Sequence, residues 1–209
     1  MDKKKLQDAL TKALEEKGKR KFKQSVELII NFRSIDFSKT ENRLNLDVPL
    51  PKGKGGKEFK IGIIGDEVMV SEAKKHGADL TISPNELPAY AERTKLRELE
   101  QYALLAQPPL MAQVAKHLGQ YLGPRGKLPR PIVGNLSQLI DRIKRSVRIV
   151  SKGKYLPVAQ CLVGTEEMPI DALSENIEAV YDAIKGKIHE SNVRSIYVKL
   201  TMGKPVKVM

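Results

Sequence analysis

The spacing of apolar residues changes twice along this chain of 209 residues, and that change limits the folds open to it. Near both ends apolar and polar residues alternate, which is typical of strands with one buried face. In the middle, short apolar runs are each followed by a helical pattern, which is typical of a parallel sheet with crossover helices. The two ends therefore form one type of domain and the middle forms another.

The N-terminal part predicts a helix and then two strands. Apolar residues recur at helical spacing from Leu6 to Leu14, and Gly18 is expected to end the helix. The two strands alternate Val26, Leu28, Ile30 and Phe32, and then Leu44, Leu46, Val48 and Leu50. Two alternating strands predict an antiparallel sheet that is covered on one face.

The C-terminal part returns to this style with a strand, a helix and a final strand. The alternating residues predicted for its first strand are Leu156, Val158, Gln160 and Leu162. The helix repeats apolar residues from Leu173 to Ile184, and the last strand alternates Ile196, Val198 and Leu200. Both parts together predict a single α+β domain built from the two ends of the chain.

The middle part is entered through residues 51–57, whose three glycines and three lysines predict a flexible basic linker. The apolar run at 59–65 predicts a buried parallel strand, and helical spacing from Leu136 to Val147 predicts the last helix. The predicted fold is an α+β discontinuous terminal domain with an inserted α/β domain, Rossmann-like and three-layered. The boundaries are 1–57 with 148–209 for the terminal domain and 58–147 for the insert.

Charge indicates the class of partner. The net charge is +12 and the pI is about 9.7, which usually means nucleic acid or an anionic membrane surface. The insert holds 13 Lys and Arg against 10 Asp and Glu, whereas the two ends hold 24 against 15. Most of the basic excess therefore belongs to the terminal domain, which is the favoured site for a nucleic acid.

Membrane and secretory classes are disfavoured. No apolar run approaches the roughly 18 residues that a membrane-spanning helix needs, and residues 1–5 lead into no signal-type stretch. The single cysteine, Cys161, permits no internal disulfide and favours a reducing cytosol. Aromatic residues are 5% of the chain, which is too few for a protein that binds mainly by base stacking.

Catalytic and metal sites are weakly indicated, so neither an enzyme nor a cofactor is expected. The segment 62–66 follows a strand-to-helix pattern but lacks the dinucleotide and phosphate-loop fingerprints. The histidines are scattered without metal-ligand spacing, and Cys161 fits a core position. The adjacent carboxylates Glu166 and Glu167 could bind a metal, but solvation is the favoured interpretation.

The last strand and the turn after it carry the most specific polar pattern. Ser195, Tyr197, Lys199 and Thr201 are predicted to share one solvent-exposed face, and Gly203 is predicted to permit an abrupt turn. Hydroxyls and one ammonium without a carboxylate suit a phosphate-rich partner with sugar hydroxyls. An ordinary edge strand with a solvated face is an equally good interpretation of this segment alone.

Two further basic segments are candidate contacts. Residues 19–23 place four cations around Phe22, although a solvated charge run is the favoured interpretation without context. The acid-free stretch 116–130 contains a Gly- and Pro-rich loop in which Arg125 and Lys127 could touch phosphates. A purely structural crossover loop is an equally good interpretation of the second segment.

Three segments together resemble a known family. They are Lys21–Glu27 leading to Ile35-Asp36, the loop Leu122–Pro129, and Arg194–Val198 with Thr201-Met202-Gly203. They are similar to the ribosomal protein L-one family of the lateral stalk of the large ribosomal subunit. The resemblance covers essentially the whole chain, and the stretch from Asn31 to Asp36 is closer to archaeal than to bacterial members.

The resemblance implies the discontinuous fold and a set of partners. Members are part of the 50S-type subunit in the cytoplasm, bind large-subunit rRNA and their own mRNA, and move with the exit-site tRNA. A monomer is implied for the free protein. The RNA contacts that the resemblance implies are Phe22, Glu27, Ser195, Thr201, Met202 and Gly203, with Lys21 and Lys154 as additions. The sequence departs from bacterial members at 165–167, where the contacts stay open.

The implied contacts fit RNA chemistry. Short hydroxyls and a backbone turn can enter the wide minor groove of A-form RNA, and Met202 offers an apolar face. Glu27 could accept a hydrogen bond from a ribose hydroxyl or a guanine amino group, or it could form a salt bridge with Lys21 or Lys23. Two other classes remain open: a nucleotide-dependent enzyme that uses the insert, and a basic DNA-binding protein.

Overall fold

The computed structural model describes residues 2–56, 60–151 and 156–209. The chain forms two compact units, Met1–Lys57 with Arg145–Met209, and Glu58–Lys144. The second segment of the first unit therefore begins at Arg145, three residues before the start at residue 148 that the sequence predicted. In the described part of the chain, no helix has the length and apolar character needed to cross a membrane.

The first unit contains two α-helices and six strands in its described residues. They are α1 (Lys3–Leu14), β1 (Ser25–Phe32), β2 (Asn45–Pro49), β7 (Ser146–Val150), β8 (Val158–Thr165), α6 (Ile170–Lys185), β9 (Val193–Leu200) and β10 (Val206–Lys207). Four of the strands form an antiparallel sheet in the order β10-β9-β1-β8, and β2 pairs with β7 in a second, two-stranded sheet. This unit is an α+β arrangement.

Register explains why one face of the larger sheet is buried. Across β1 and β9, Val26 lies opposite Leu200 and Leu28 lies opposite Val198, so apolar side chains line up on the same face. Helices α1 and α6 cover that face, and the buried side chains form one hydrophobic cluster. The apolar alternation predicted for the first and last strands matches this buried face.

The predicted face of β8 was wrong. The strand buries Ala159, Cys161 and Val163, whereas Leu156 is 60% exposed and Gln160 is exposed. Pairing with β1 decides the phase, because Leu28 lies opposite Cys161 on the face that the helices cover. Both phases of this strand are largely apolar, so alternation alone could not choose between them.

The last helix of the middle segment is shorter than predicted. Helix α5 (Leu136–Arg145) stops before Val147, which lies in β7 opposite Val48. Val147 stands at a helical position relative to Ile140 and Ile143, but it is also an alternating residue of a strand. Its side chain is buried in the cluster of the first unit, which moves the boundary towards the N-terminus.

The predicted flexible linker is anchored as far as the structure describes it. Asn176 is fully buried; its Oδ1 accepts from the Lys52 N–H at 3.0 Å and its Nδ2 donates to the Gly53 carbonyl at 2.8 Å. The Thr165 hydroxyl donates to the Gly55 carbonyl at 2.9 Å. Residues 51–56 therefore pack against the first unit, and residue 57 lies outside the described residues.

The second unit is an α/β arrangement. Its elements are β3 (Lys60–Ile64), α2 (Glu67–Lys75), β4 (Leu80–Ile82), α3 (Arg93–Leu99), β5 (Tyr102–Ala106), α4 (Met111–Leu122) and β6 (Arg130–Pro131), with α5 at its end. The four strands are parallel in the order β4-β3-β5-β6. Two separate hydrophobic clusters, one with α3 and α4 and the other with α2 and α5, cover its two faces.

Candidate nucleic-acid interface

The turn after β9 is fixed by the backbone of neighbouring strands. The Gly203 N–H donates to the Leu200 carbonyl at 2.9 Å, which closes the turn, and the Thr201 N–H donates to the Ser25 carbonyl at 3.0 Å. Met202 stands at the tip of this turn with 58% of its surface exposed. The turn therefore presents one apolar side chain on a hydrogen-bonded backbone.

Gly203 lies close to its neighbours and does not have an unusual backbone conformation. Its φ is not positive, in contrast to that of Gly53 and Gly55 in the linker. A Cβ at this position would stand 3.1 Å from a carboxylate oxygen of Glu16 and 3.1 Å from the Cβ of Leu200. The position disfavours a Cβ, as predicted, and the reason is the short distances to these neighbours and not a left-handed backbone.

Thr201 is half-buried, and its hydroxyl is already engaged. Its Oγ1 accepts from the Ser25 N–H at 3.1 Å and donates to the Ser25 carbonyl at 3.3 Å. The prediction of a solvent-facing hydroxyl was wrong, because the hydroxyl ties the end of β9 to the start of β1. A hydroxyl oxygen has two lone pairs, so one remains to accept a hydrogen bond from a ligand.

Ser195 is also less exposed than predicted. It lies opposite Asn31 on β1, only 8% of its surface is accessible, and its Oγ accepts from the Asn31 amide at 3.0 Å. The prediction of a wet position was wrong because neighbours in the middle of the sheet cover a short side chain. Asn31 and Ser195 form one polar pair on the face opposite the helices.

Glu27 shares the same face and forms a pair with the last strand. Its Oε2 lies 3.9 Å from the Lys199 Nζ, which also donates to the Thr201 carbonyl at 2.8 Å. The predicted salt-bridge partners, Lys21 and Lys23, were the wrong ones, since Lys23 instead contacts Glu167 at 2.9 Å. This face therefore carries one carboxylate beside its hydroxyls and its ammonium.

A buried amide that no sequence pattern indicated joins these parts. Gln24 is only 2% exposed, and its Oε1 accepts from the Met202 N–H at 3.1 Å. Its carbonyl accepts from the Glu166 N–H at 3.0 Å, and its Nε2 lies 3.4 Å from the Glu166 carboxylate. Glu166 is 6% exposed, so its predicted solvation was wrong. Gln24 precedes β1 outside any periodic pattern, and no sequence signal singled it out.

The remaining predicted contacts of the first unit lie in the segment before β1 or outside the described residues. Lys21 is exposed and Phe22 is 52% exposed, which is a large fraction for an aromatic side chain. Lys23, near the end of this segment, contacts Glu167 just after β8, and Gln24 contacts the turn after β9. Lys154 lies outside the described residues.

The two candidates of the second unit differ from each other. The Arg125 Nε lies 2.8 Å from Glu100, and its guanidinium stacks 3.8 Å from the centroid of the Tyr121 ring. These contacts favour a structural role for Arg125. Lys127 is exposed, and its backbone N–H donates to the Leu122 carbonyl at 3.0 Å, which helps to end α4.

In the described ranges, the thiol of Cys161 and the possible metal-binding side chains show no arrangement suited to catalysis. Burial raises the pKa of the Cys161 thiol to about 12, which keeps it protonated and unreactive. Within residues 2–56, 60–151 and 156–209, no group of three or more His, Cys, Asp or Glu residues is arranged to hold a metal ion. The surface described above presents mainly hydroxyls, amides and backbone groups.

Comparisons with known proteins agree with the sequence resemblance. A sequence model of the Ribosomal protein L1p/L10e family matches residues 12–204. The "Large ribosomal subunit protein uL1" of Thermofilum pendens is 43% identical over 97% of this chain and 92% of its own length. Its namesake from Pyrococcus abyssi is 40% identical over 99% of this chain and 96% of its own length. The chain therefore belongs to the Ribosomal protein L1p/L10e family, whose members are components of the cytoplasmic ribosome and not enzymes.

Proposed function

We propose that the protein is a structural component of the large ribosomal subunit that binds large-subunit rRNA directly through its first unit. The observation that carries this proposal is the turn Thr201-Met202-Gly203, which exposes Met202 on a backbone held by Ser25 and Gln24. The two named relatives are large ribosomal subunit proteins, and they align with this chain over 92% and 96% of their own length. The two chain ends, which form this unit, hold most of the excess positive charge, and this also favours the first unit as the RNA-binding site.

The chemistry of the turn suits a structured RNA better than a flexible one. A-form RNA displays ribose hydroxyls and base edges in a wide, shallow minor groove. Met202 would pack on a ribose or a base, and the open lone pair of Thr201 would accept from a ribose hydroxyl or an amino group. The close contacts at Gly203 keep this region free of a side chain that would hold the RNA away.

Glu27 would accept a hydrogen bond from the RNA. Its carboxylate lies next to the Lys199 ammonium, which offsets the repulsion that a phosphate backbone would otherwise cause. The second carboxylate oxygen can then accept from a guanine amino group or a ribose hydroxyl. Ser195 would donate from the hydroxyl whose oxygen accepts from Asn31, and Phe22 and Lys21 would add contacts from the segment before β1.

Three finer functions follow from the family resemblance and are part of the proposal. The protein is a mobile part of the lateral stalk, and it assists the movement and release of exit-site tRNA. It also represses translation of its own mRNA by binding an element similar to its rRNA site. In the second unit, Lys127 is the better candidate for a tRNA or rRNA phosphate, because Arg125 is held by Glu100 and Tyr121. Free protein is proposed to be a monomer.

The first experiment identifies the RNA that the protein selects. Tagged protein is purified from its own cells at moderate salt, and the RNA bound to it is sequenced after nuclease trimming. We expect one large-subunit rRNA segment to dominate, with a leader segment of the protein's own mRNA as a second product. Recovery of unselected RNA in proportion to its abundance would contradict specific rRNA binding.

The second experiment separates the other two classes of function. The labelled rRNA segment is competed with excess duplex DNA and, separately, with nucleotides at millimolar concentration. We expect neither competitor to displace the rRNA, since a hydroxyl-reading surface distinguishes RNA from DNA. Displacement by duplex DNA at equal mass would favour a general DNA-binding protein. A nucleotide that stays bound to purified protein would favour an enzymatic role for the second unit.

A further inference from the structure

One buried amide connects the exposed turn to the interior of the first unit. Gln24 has 2% of its surface exposed, and each end of its side-chain amide faces a different partner. Its Oε1 lies 3.1 Å from the Met202 nitrogen, and its Nε2 lies 3.4 Å from a carboxylate oxygen of Glu166. A third bond, from the Glu166 N–H to the Gln24 carbonyl at 3.0 Å, fixes the backbone beside it.

The two partners restrict which side chains fit between them. A backbone N–H can only donate, and an ionised carboxylate can only accept. The group between them must therefore accept at one end and donate at the other, as a primary amide does. A carboxylate in place of Gln24 would satisfy Met202 but would meet the Glu166 carboxylate in a largely buried position, which is unfavourable.

The Gln24 amide affects the exposed turn through the peptide N–H of Met202. The Met202 N–H belongs to the residue whose side chain is the most exposed part of the turn. If its acceptor is lost, this N–H has to turn towards water or another acceptor, and the Met202 side chain turns with it. The hydrogen bonds of Thr201 and Gly203 would still hold the two ends of the turn.

We propose that Gln24 is a positioning residue for nucleic-acid binding. The Glu166 carboxylate holds the amide nitrogen of Gln24, so the amide oxygen faces the Met202 N–H and fixes the orientation of Met202. This inference rests on the proposed function of the turn. Gln24 does not touch the ligand; it selects one of several orientations that the exposed peptide could adopt. The role belongs to a pair, because the amide at position 24 is only required while position 166 carries a carboxylate.

The pair allows a test by exchange of the two functional groups. Gln24→Glu alone places two carboxylates together, and we expect their repulsion to move the acceptor away from the Met202 N–H. The affinity for the rRNA segment selected by wild-type protein should then fall about 10-fold or more. Glu166→Gln alone keeps an acceptor oxygen for the Gln24 amide, and we expect an affinity within about 3-fold of wild type. The double variant Gln24→Glu with Glu166→Gln restores one donor and one acceptor without changing the net charge, and we expect it to recover wild-type affinity within about 3-fold.

A matched control separates positioning from general loss of stability. Asn176→Asp makes the same amide-to-acid change at another fully buried amide of this unit, one that bonds the linker and β8 instead of the turn. We expect it to lower the melting temperature at least as much as Gln24→Glu. Measured well below the melting temperature, its affinity should stay within about 3-fold of wild type.

Three results would overturn the proposal. One is wild-type affinity in Gln24→Glu, and another is failure of the double variant to recover affinity while its melting temperature recovers. The third is a loss in Asn176→Asp that equals the loss in Gln24→Glu. A failure of the proposed function has a different signature, because Met202→Ala would then bind the selected segment as tightly as wild type.

Discussion

The Thr201 hydroxyl accepts a hydrogen bond from the Ser25 N–H at 3.1 Å, so the residue that opens the exposed turn also joins β9 to β1. The same hydroxyl lies 3.3 Å from the Ser25 carbonyl, to which it donates. A side chain that would be assigned to ligand binding by sequence therefore has a structural role as well. Substitutions at this position have to be measured for stability and for binding separately.

The first prediction concerns Thr201→Val, which keeps the shape of the side chain but removes the hydroxyl. The Ser25 N–H then loses its acceptor, and we expect a loss of about 1–3 kcal/mol in the free energy of unfolding. RNA affinity should also fall, by about 5- to 100-fold, because the remaining lone pair is lost. Thr201→Ser keeps the hydroxyl and is the control. A valine variant with wild-type stability in a urea titration would contradict the Ser25 contact.

The second prediction compares Met202→Ala with Lys204→Ala, two exposed positions of the same turn. Met202→Ala should weaken RNA binding by about 10-fold through lost packing and leave the melting temperature nearly unchanged. Lys204→Ala should cost less affinity and mainly reduce the slope of log K against log salt. The measurement is a filter-binding titration at several salt concentrations. If Lys204→Ala loses more affinity than Met202→Ala, the turn is a general cationic patch.

The third prediction concerns the salt dependence of wild-type protein. The surface is richer in hydroxyls, amides and backbone than in free cations, so we expect the slope to correspond to only about two to four phosphates. The measurement is the affinity for the selected rRNA segment from low to moderately high salt. A slope equivalent to about eight or more phosphates would contradict recognition by hydroxyls and shape.

The sequence predicted those parts of the fold in which only one pattern was possible. The first and last strands alternate cleanly, so Val26 and Leu200 were placed correctly on the buried face. The face of β8 was not predictable, because Ala159, Cys161 and Val163 in one phase compete with Val158 and Leu162 in the other. Only the pairing of Leu28 with Cys161 decides between them, and that contact is distant in sequence.

The candidate site was predictable in its exposed residues and not in their supports. Met202 and Phe22 are large apolar residues that remain exposed, as the resemblance implies for a contact surface. The roles of Gln24, Ser25 and Asn31 depend on hydrogen bonds between strands that are far apart in sequence. A pattern of residue types does not contain that information, because polar residues next to strands are ordinarily solvated.

The fourth prediction tests the anchored linker. Gly55 has a φ of +66°, and a Cβ there would stand 2.3 Å from the Met168 sulfur, whereas Gly18 has a φ of +74° with no neighbour within 4 Å. Gly55→Ala should therefore be more destabilising than Gly18→Ala by about 1–3 kcal/mol. Both variants place a Cβ on a left-handed backbone, but only the Cβ of Gly55→Ala clashes with a neighbour. Equal losses in thermal melts of the two variants would contradict packing of the linker.

The fifth prediction concerns pH and the cluster at the end of α6. The Lys185 ammonium donates to Glu190 and holds its pKa below the ordinary value of 4.5, while burial, with Glu190 nearby, raises the pKa of Tyr181 to about 12. A lowered carboxyl pKa contributes stability above its unfolded value, and that contribution is lost as pH falls through the folded pKa. A raised phenol pKa contributes below its unfolded value of 10.0, and the contribution is lost as pH rises towards about 12.

Glu190→Gln should therefore lower stability between about pH 5 and pH 10 and make little difference at more acidic pH. The measurement is a set of urea titrations of both proteins from acidic to alkaline pH. Exposed Lys17→Gln, which also alters one charge, is the control and should shift all the curves only slightly. A constant difference between wild type and Glu190→Gln down to the lowest pH would contradict the contact with Lys185.

The most direct test of the account asks whether the first unit alone carries the RNA site. A protein in which residues 1–57 are joined to 145–209 through a short Gly-rich connection is titrated with the selected rRNA segment, after its melt shows a cooperative transition. We expect its affinity to lie within about 10-fold of the whole protein, because the turn, Gln24 and most of the basic excess belong to this unit. A folded first unit that loses more than about 100-fold, roughly 3 kcal/mol, would contradict the account.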